Sequence, residues 1–164
     1  MIKIAKSSAA AVSTRRVLLR SAAAVLALGA LAAPASARPF QQYLNGACTG
    51  LICKISFAKV PVGQRLDVKN ASCYVRLGRL PGGGDSQIKA MQLLILGANP
   101  ANVVSAVTMV PALVGKPGVE TVYSAEHSLS SFANAQQRFQ AYAEISGSTF
   151  EQFACHISGD MVKA

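Results

Sequence analysis

The chain has 164 residues with sixteen Lys and Arg, seven Asp and Glu and a formal charge of +9. Five of the bases (Lys3, Lys6, Arg15, Arg16 and Arg20) fall in the first 20 residues, and every acid lies after residue 37. The rest of the chain therefore carries eleven bases against seven acids, a net +4 that is ordinary for a soluble domain and gives no argument for a nucleic-acid partner.

The acid-free basic segment is followed by an uncharged Ala- and Leu-rich run from Ser21 to Ala33. At about 13 residues it is too short for a bilayer core that needs about 20, but it suits the apolar region of a cleavable export signal. Pro34 breaks the run, and Ala35-Ser36-Ala37 supplies the small side chains of a signal-peptidase site, which predicts cleavage between Ala37 and Arg38. Thr14-Arg15-Arg16-Val17-Leu18-Leu19-Arg20 resembles the twin-arginine export motif, with Leu18 where the motif usually has Phe. The resemblance implies a bacterial source, with Arg15 and Arg16 read by the export machinery. The expected partners are that machinery, signal peptidase and an unidentified envelope or extracellular partner. No membrane span is expected after cleavage, and the location is periplasmic or secreted.

Subtracting 37 residues from 164 leaves 127, enough for one domain with a real core. From Arg38 to Gly50 no sustained period is visible, so residues 38–50 read as an irregular lead-in to a domain over 51–164. Leu51 to Val60 alternates, with Cys53, Ile55 and Phe57 on one face. Leu66 to Val68 reads as a short strand. Ser72 to Arg79 alternates again, with Cys73, Val75 and Leu77 inward. Pro81-Gly82-Gly83-Gly84-Asp85 is a loop. It lacks the Lys-Ser/Thr continuation of a phosphate-binding loop.

Ile88 to Leu96 and Val103 to Val110 are apolar on both faces, and β-branched residues favour a strand for the second. Gly115 to Gly118 marks a turn before a strand over Val119 to Ala125, and Ser128 to Gln136 reads as a polar connection with room for one helical turn. Arg138 to Ser146 puts Phe139, Ala141, Ala143 and Ile145 on one face. Gly147-Ser148-Thr149 turns the chain, and Glu151 to Val162 returns with Phe153, Cys155 and Ile157 inward. Seven or eight short antiparallel strands without a long helix predict an all-β domain, a β-sandwich or jelly roll.

Cys48, Cys53, Cys73 and Cys155 form an even set in an exported chain, which favours two disulfides. Cys73 with Cys155 would tie two strands across the core and close a loop of about 80 residues, leaving Cys48 with Cys53. The rivals join Cys53 to Cys155 or to Cys73.

Residues capable of chemistry are sparse, and no catalytic, cofactor-binding or metal-binding set is assigned. Glu126-His127-Ser128 is contiguous, but neighbouring strand residues diverge and no G-x-S-x-G elbow exists. His156 beside Cys155, with Cys48 and Cys53, has the wrong spacing for a zinc set. A small hydrolase using His127 or His156 with nearby acids or serines is one alternative. A thiol-redox or metal-handling role for the cysteines is another. Asn70-Ala71-Ser72 fits a glycosylation sequon, which the bacterial-type signal argues against. Lys69, Arg76, Arg79 and Lys89 read as a solvated polar face. Tyr74, Arg76, Arg138 and Tyr142 share outward parity and form the candidate binding face for a protein or sugar, although the chain has no Trp. The reading is an exported, non-catalytic module that binds a ligand or partner or serves the envelope structurally.

Overall fold

The computed structural model describes residues 37–46, 48–79, 86–116 and 120–164. The export segment with Arg15 and Arg16, the Pro81–Asp85 loop and part of the Gly115–Gly118 turn lie outside them. The described residues form nine strands and no helix: β1 Arg38–Gly46, β2 Ile52–Ser56, β3 Gln64–Arg79, β4 Gln87–Leu96, β5 Val103–Thr108, β6 Ala112–Gly115, β7 Thr121–Ala133, β8 Arg138–Ser146 and β9 Ser148–Lys163. They build a five-stranded sheet in the order β1-β9-β3-β7-β6 and a four-stranded sheet in the order β2-β8-β4-β5. Every pairing is antiparallel.

One buried apolar cluster draws on both sheets. Alternation predicts its membership well: Ile55, Phe57, Val75, Leu77, Phe139, Ile145, Phe153 and Ile157 are all buried. β8 is the plainest case, with Phe139, Ala141, Ala143 and Ile145 buried and each intervening residue half-buried. A side-chain period of two delivers this pattern wherever only one face of a sheet is covered.

Five sequence expectations need correction. The irregular lead-in over 38–50 is in fact strand β1 as far as Gly46, paired residue by residue with β9 from Arg38↔Met161 to Gly46↔Phe153. Its inward side carries Gln42 between Phe40 and Leu44, so its alternation is weak in sequence, and its partner lies at the far end of the chain. The strands expected over Leu66–Val68 and Ser72–Arg79 are one strand, β3, interrupted by a bulge between Val68 and Asn70. Such an inserted residue resets the parity and makes one strand look like two.

The run at Val103 is a strand, but an exposed edge rather than a buried centre, with Val103 and Val104 more than half exposed. The polar stretch from Ser128 contains no helical turn, because β7 continues through it to Ala133 against β3. The last turn is tighter than Gly147-Ser148-Thr149: β9 already starts at Ser148, and Gly147 alone reverses the chain at φ 69°, where glycine carries no Cβ penalty.

Both disulfides form in the favoured pairing, Cys48–Cys53 and Cys73–Cys155. The longer one differs from expectation in place. Cys73 and Cys155 face each other on neighbouring strands β3 and β9 with Cα atoms 4.1 Å apart, so the bridge staples one sheet instead of crossing the core. That separation belongs to the closer, non-hydrogen-bonded kind of antiparallel pair.

Candidate functional site

The four residues of the expected binding face are separated by the fold. Tyr74 and Arg76 lie on β3 and face outward from the five-stranded sheet, whereas Arg138 and Tyr142 lie on β8 in the four-stranded sheet. Parity within a strand was read correctly, but it does not say which sheet a strand joins. The two arginines and two tyrosines therefore make no common patch. Arg76 points its Nε toward Glu120 at 3.6 Å, an ion-pair distance beyond hydrogen-bond reach. Tyr142 instead donates its hydroxyl to Glu144 at 3.0 Å and has the Lys54 ammonium 6.0 Å from its ring centre.

The bases grouped as a solvated face are likewise dispersed. Lys69 pairs with Asp160, and Lys89 belongs to β4 in the other sheet. The hydrogen bond to Asp160, and then its charge, raises the Lys69 pKa above the ordinary lysine value. Arg65 forks onto Asp67 through Nε at 2.7 Å and Nη2 at 2.9 Å, and this contact raises its pKa too.

What the fold does assemble is a polar field on the outer face of the five-stranded sheet. Register places Tyr43, His156, Ser72 and Glu126 in one row across β1, β9, β3 and β7. The next row in one direction holds Gln41, Ser158, Asn70 and Ser128, and the next in the other holds Asn45, Ala154, Tyr74 and Ser124. Ten of these twelve positions carry a hydroxyl, an amide or an imidazole; Ala154 carries none of these, Glu126 is the sole acid, and there is no Lys or Arg. Tyr43 is 61% exposed and Tyr74 37%, and Ala154, which pairs with Tyr74, is buried. An open depression at the middle is lined by Asn70, Ser72, Glu126, Ser128, His156 and Ser158.

The geometry of the middle row bears on chemistry. Ser72 stands between His156 and Glu126, so imidazole and carboxylate start from strands two spacings apart, about 10 Å. A nucleophilic triad needs the reverse order, with the imidazole between hydroxyl and acid and bonded to both. His127, from the contiguous Glu126-His127-Ser128, points to the opposite side of β7 from its two neighbours. It stays exposed because β6 pairs with β7 only along Val122–Ser124 and leaves the strand beyond as an edge. His156 and Cys155 also diverge, one outward and the other into its disulfide. All four cysteine sulfurs are bonded in pairs, so they present no thiolate donors to a metal. Among the described residues, no group of three or more His, Cys, Asp or Glu converges on one point.

Sequence reading gave no role to Tyr43, Gln41, Asn45, Ser124 or Ser158, and it took up Asn70 and Ser72 only as a sequon and Glu126, Ser128 and His156 only as catalytic candidates, never as one face with Tyr74. The outward parity of Ser72 and Tyr74 was visible in the alternation of β3, but the rows exist only through the non-local pairing of β1 with β9 and β9 with β3. No protein-family profile matches the chain, and no curated protein is significantly similar to it.

Proposed function

We propose that the protein is an exported, non-catalytic β-sandwich module that binds an uncharged, hydroxyl-rich ligand, an envelope or extracellular glycan, on the outer face of its five-stranded sheet. The observation that carries the reading is the field of hydroxyls and amides around Tyr43 and Tyr74. Sugars need many directional hydrogen bonds and an apolar ring face to lie on, and exposed tyrosines beside Ser, Asn and Gln supply both. The near absence of charge in the three rows disfavours a charged ligand or partner.

The topology supports the finer fold description. With the short β6 set aside, the sheet orders become first-eighth-third-sixth and second-seventh-fourth-fifth, the strand order of a jelly roll. Lectin domains use this fold, as do proteins of other functions, so the ligand is argued from the face rather than from the architecture.

Export rests on the N-terminal segment, with residues 1–37 as a cleavable signal of twin-arginine type and a periplasmic or secreted destination. Two disulfides suit the oxidising conditions found there. β1 starts at Arg38, so cleavage after Ala37 would leave the whole of that strand to pair with β9. N-terminal sequencing of exported protein should read Arg38 first, and retention of residues 1–37 with the membrane would make the segment an anchor.

Binding is tested by affinity electrophoresis of the purified protein through gels containing envelope polysaccharides. Retardation is expected, and Tyr43→Ala and Tyr74→Ala should each weaken it by about tenfold, in line with the loss of one aromatic contact. Mobility indifferent to every polysaccharide, or retardation unchanged in both variants, would remove the reading.

A further inference from the structure

The two strands that follow one another in sequence, β5 and β6, are each an edge strand, one for each sheet. Both are built from apolar residues that the fold leaves uncovered. Val103 is 55% exposed, Val104 58%, Val110 81%, Leu113 52% and Val114 63%. From Met91 to Gly115 the sequence has no charged residue, and the nearest charges are Lys89 and Lys116. Sheet edges in soluble proteins ordinarily carry a Lys, an inward-pointing charge or a proline, because a free row of amides and carbonyls templates another strand. β5 has none of these and only a bulge at Val104, where Ile95↔Ser105 steps to Leu96↔Val103.

The backbone of β5 offers the required donors and acceptors. Met109 N–H donates to Met91 C=O at 2.9 Å, toward β4. Peptide groups alternate sides along a strand, so those of Val107 and Ser105 also face β4, and those of Ala106 and Thr108 face away from the sheet. No described strand pairs with that outer side.

We propose that β5 is a self-association edge, on which a second copy of this chain docks its own β5 antiparallel across a two-fold axis, joining two four-stranded sheets into one of eight strands. A second copy fits for two reasons. An antiparallel pairing of one edge with itself is self-complementary by symmetry, so the same uncharged strip meets itself and closes. The charge distribution also favours it: molecules of net positive charge can approach here without opposing like charges, and a charged partner would find no counter-charge. The exposed aliphatic side chains of β5 and its end, Val103, Val104 and Val110, give on the order of 200 Å² of apolar surface per copy, to which the paired backbones add. That lies well below the ~800 Å² per partner of standard stable interfaces, so the association is weak and concentration-dependent.

Sedimentation velocity of the purified protein from about one to several hundred micromolar tests this. The expected result is a monomer–dimer equilibrium that Ala106→Pro, which deletes one outward amide, and Val104→Lys each weaken at least about tenfold. Val62→Lys, at a still more exposed valine in the turn before β3, should leave it unchanged. Circular dichroism checks that each variant keeps its strands, and Val104→Lys decides if Ala106→Pro does not. A monomer at every concentration, a dimer no weaker in the β5 variants than in Val62→Lys, or growth beyond two copies would each overturn the proposal.

Discussion

Two stretches of this chain have opposite fates, and the more apolar one is the less buried: seven of the ten residues of β5 and β6 are apolar, against fourteen of the thirty-two of β3 and β9. Along β3 and β9, sixteen-residue strands pair over nearly their whole length, and Val75, Leu77, Phe153 and Ile157 are completely buried between neighbours on both sides. Along β5 and β6, valines and leucines stand in solvent. The difference lies in position within the sheet rather than in composition. β3 has β9 on one flank and β7 on the other, while β5 and β6 each have a partner on one flank only. Apolar content makes a strand; burial comes from what lies beside and above it.

The sharpest way to break the comparison is to cut the staple of the central ladder. Replacing Cys73 and Cys155 by Ala removes a crosslink between residues 82 apart, which the chain-entropy treatment values at about 4.5 kcal/mol. Urea unfolding should show that loss, with the dimer-forming edge unaffected. A cost below about 1 kcal/mol would mean that the pairing of β3 with β9 holds the sheet without its covalent link.

Next in size is a pair of truncations. Phe153→Ala in the fully buried centre should destabilise the fold by about 3–5 kcal/mol, whereas Val104→Ala on β5 should change monomer stability by no more than about 0.5 kcal/mol. Equal costs at the two sites would erase the distinction between ladder and edge. Gly159→Ala belongs with the ladder: a Cβ there would run into the Asp67 carbonyl on β3, and backbone cannot step aside as a side chain would. It should lower the urea midpoint sharply, and an unshifted midpoint would place β3 farther from β9 than the pairing at Val68 implies.

How much of this was legible beforehand follows the same line. The core was readable wherever one face alone is covered, as in β8, because period-two alternation is local. β1 was not, since Gln42 occupies an inward slot and its partner β9 lies more than a hundred residues away. The exposure of Val103 and Val104 was not, because a β-branched run signals strand and not strand position. The candidate binding face was half legible. Outward parity of Tyr74 was correct, but Arg138 and Tyr142 joined the other sheet, and the row of Tyr43, His156, Ser72 and Glu126 is a product of register between four strands.

A smaller effect separates the two disulfides. Cys48 and Cys53 are five residues apart, and their Cα atoms lie 5.4 Å from each other at the start of β2. The same entropy treatment gives about 2 kcal/mol for so short a loop, less than half the value for the central bridge. Ala at both positions should therefore shift the urea midpoint measurably while leaving the strand signal intact. A loss as large as that from Cys73 and Cys155 would show that the short bridge also anchors β1, whose last residue, Gly46, packs close to Ile55.

The smallest effect concerns pH and sharpens the contrast between the two outer faces. Tyr142 sits half-buried on β8, and burial first, then the hydrogen bond to the Glu144 carboxylate and its charge, raise the phenol pKa above the ordinary tyrosine value. The protonated phenol is the favoured form in the fold, so its contribution to stability is complete below the unfolded tyrosine pKa of about 10. It is lost as pH climbs through the higher folded value. Ultraviolet titration should reveal a tyrosine that ionises late, and Tyr142→Phe should abolish that step. Glu144→Gln should move it down only part of the way, because burial, the largest single cause, remains. A step that returned fully to the ordinary range in Glu144→Gln would assign the shift to the carboxylate alone and leave the phenol more open to solvent than its place beside Lys54 implies.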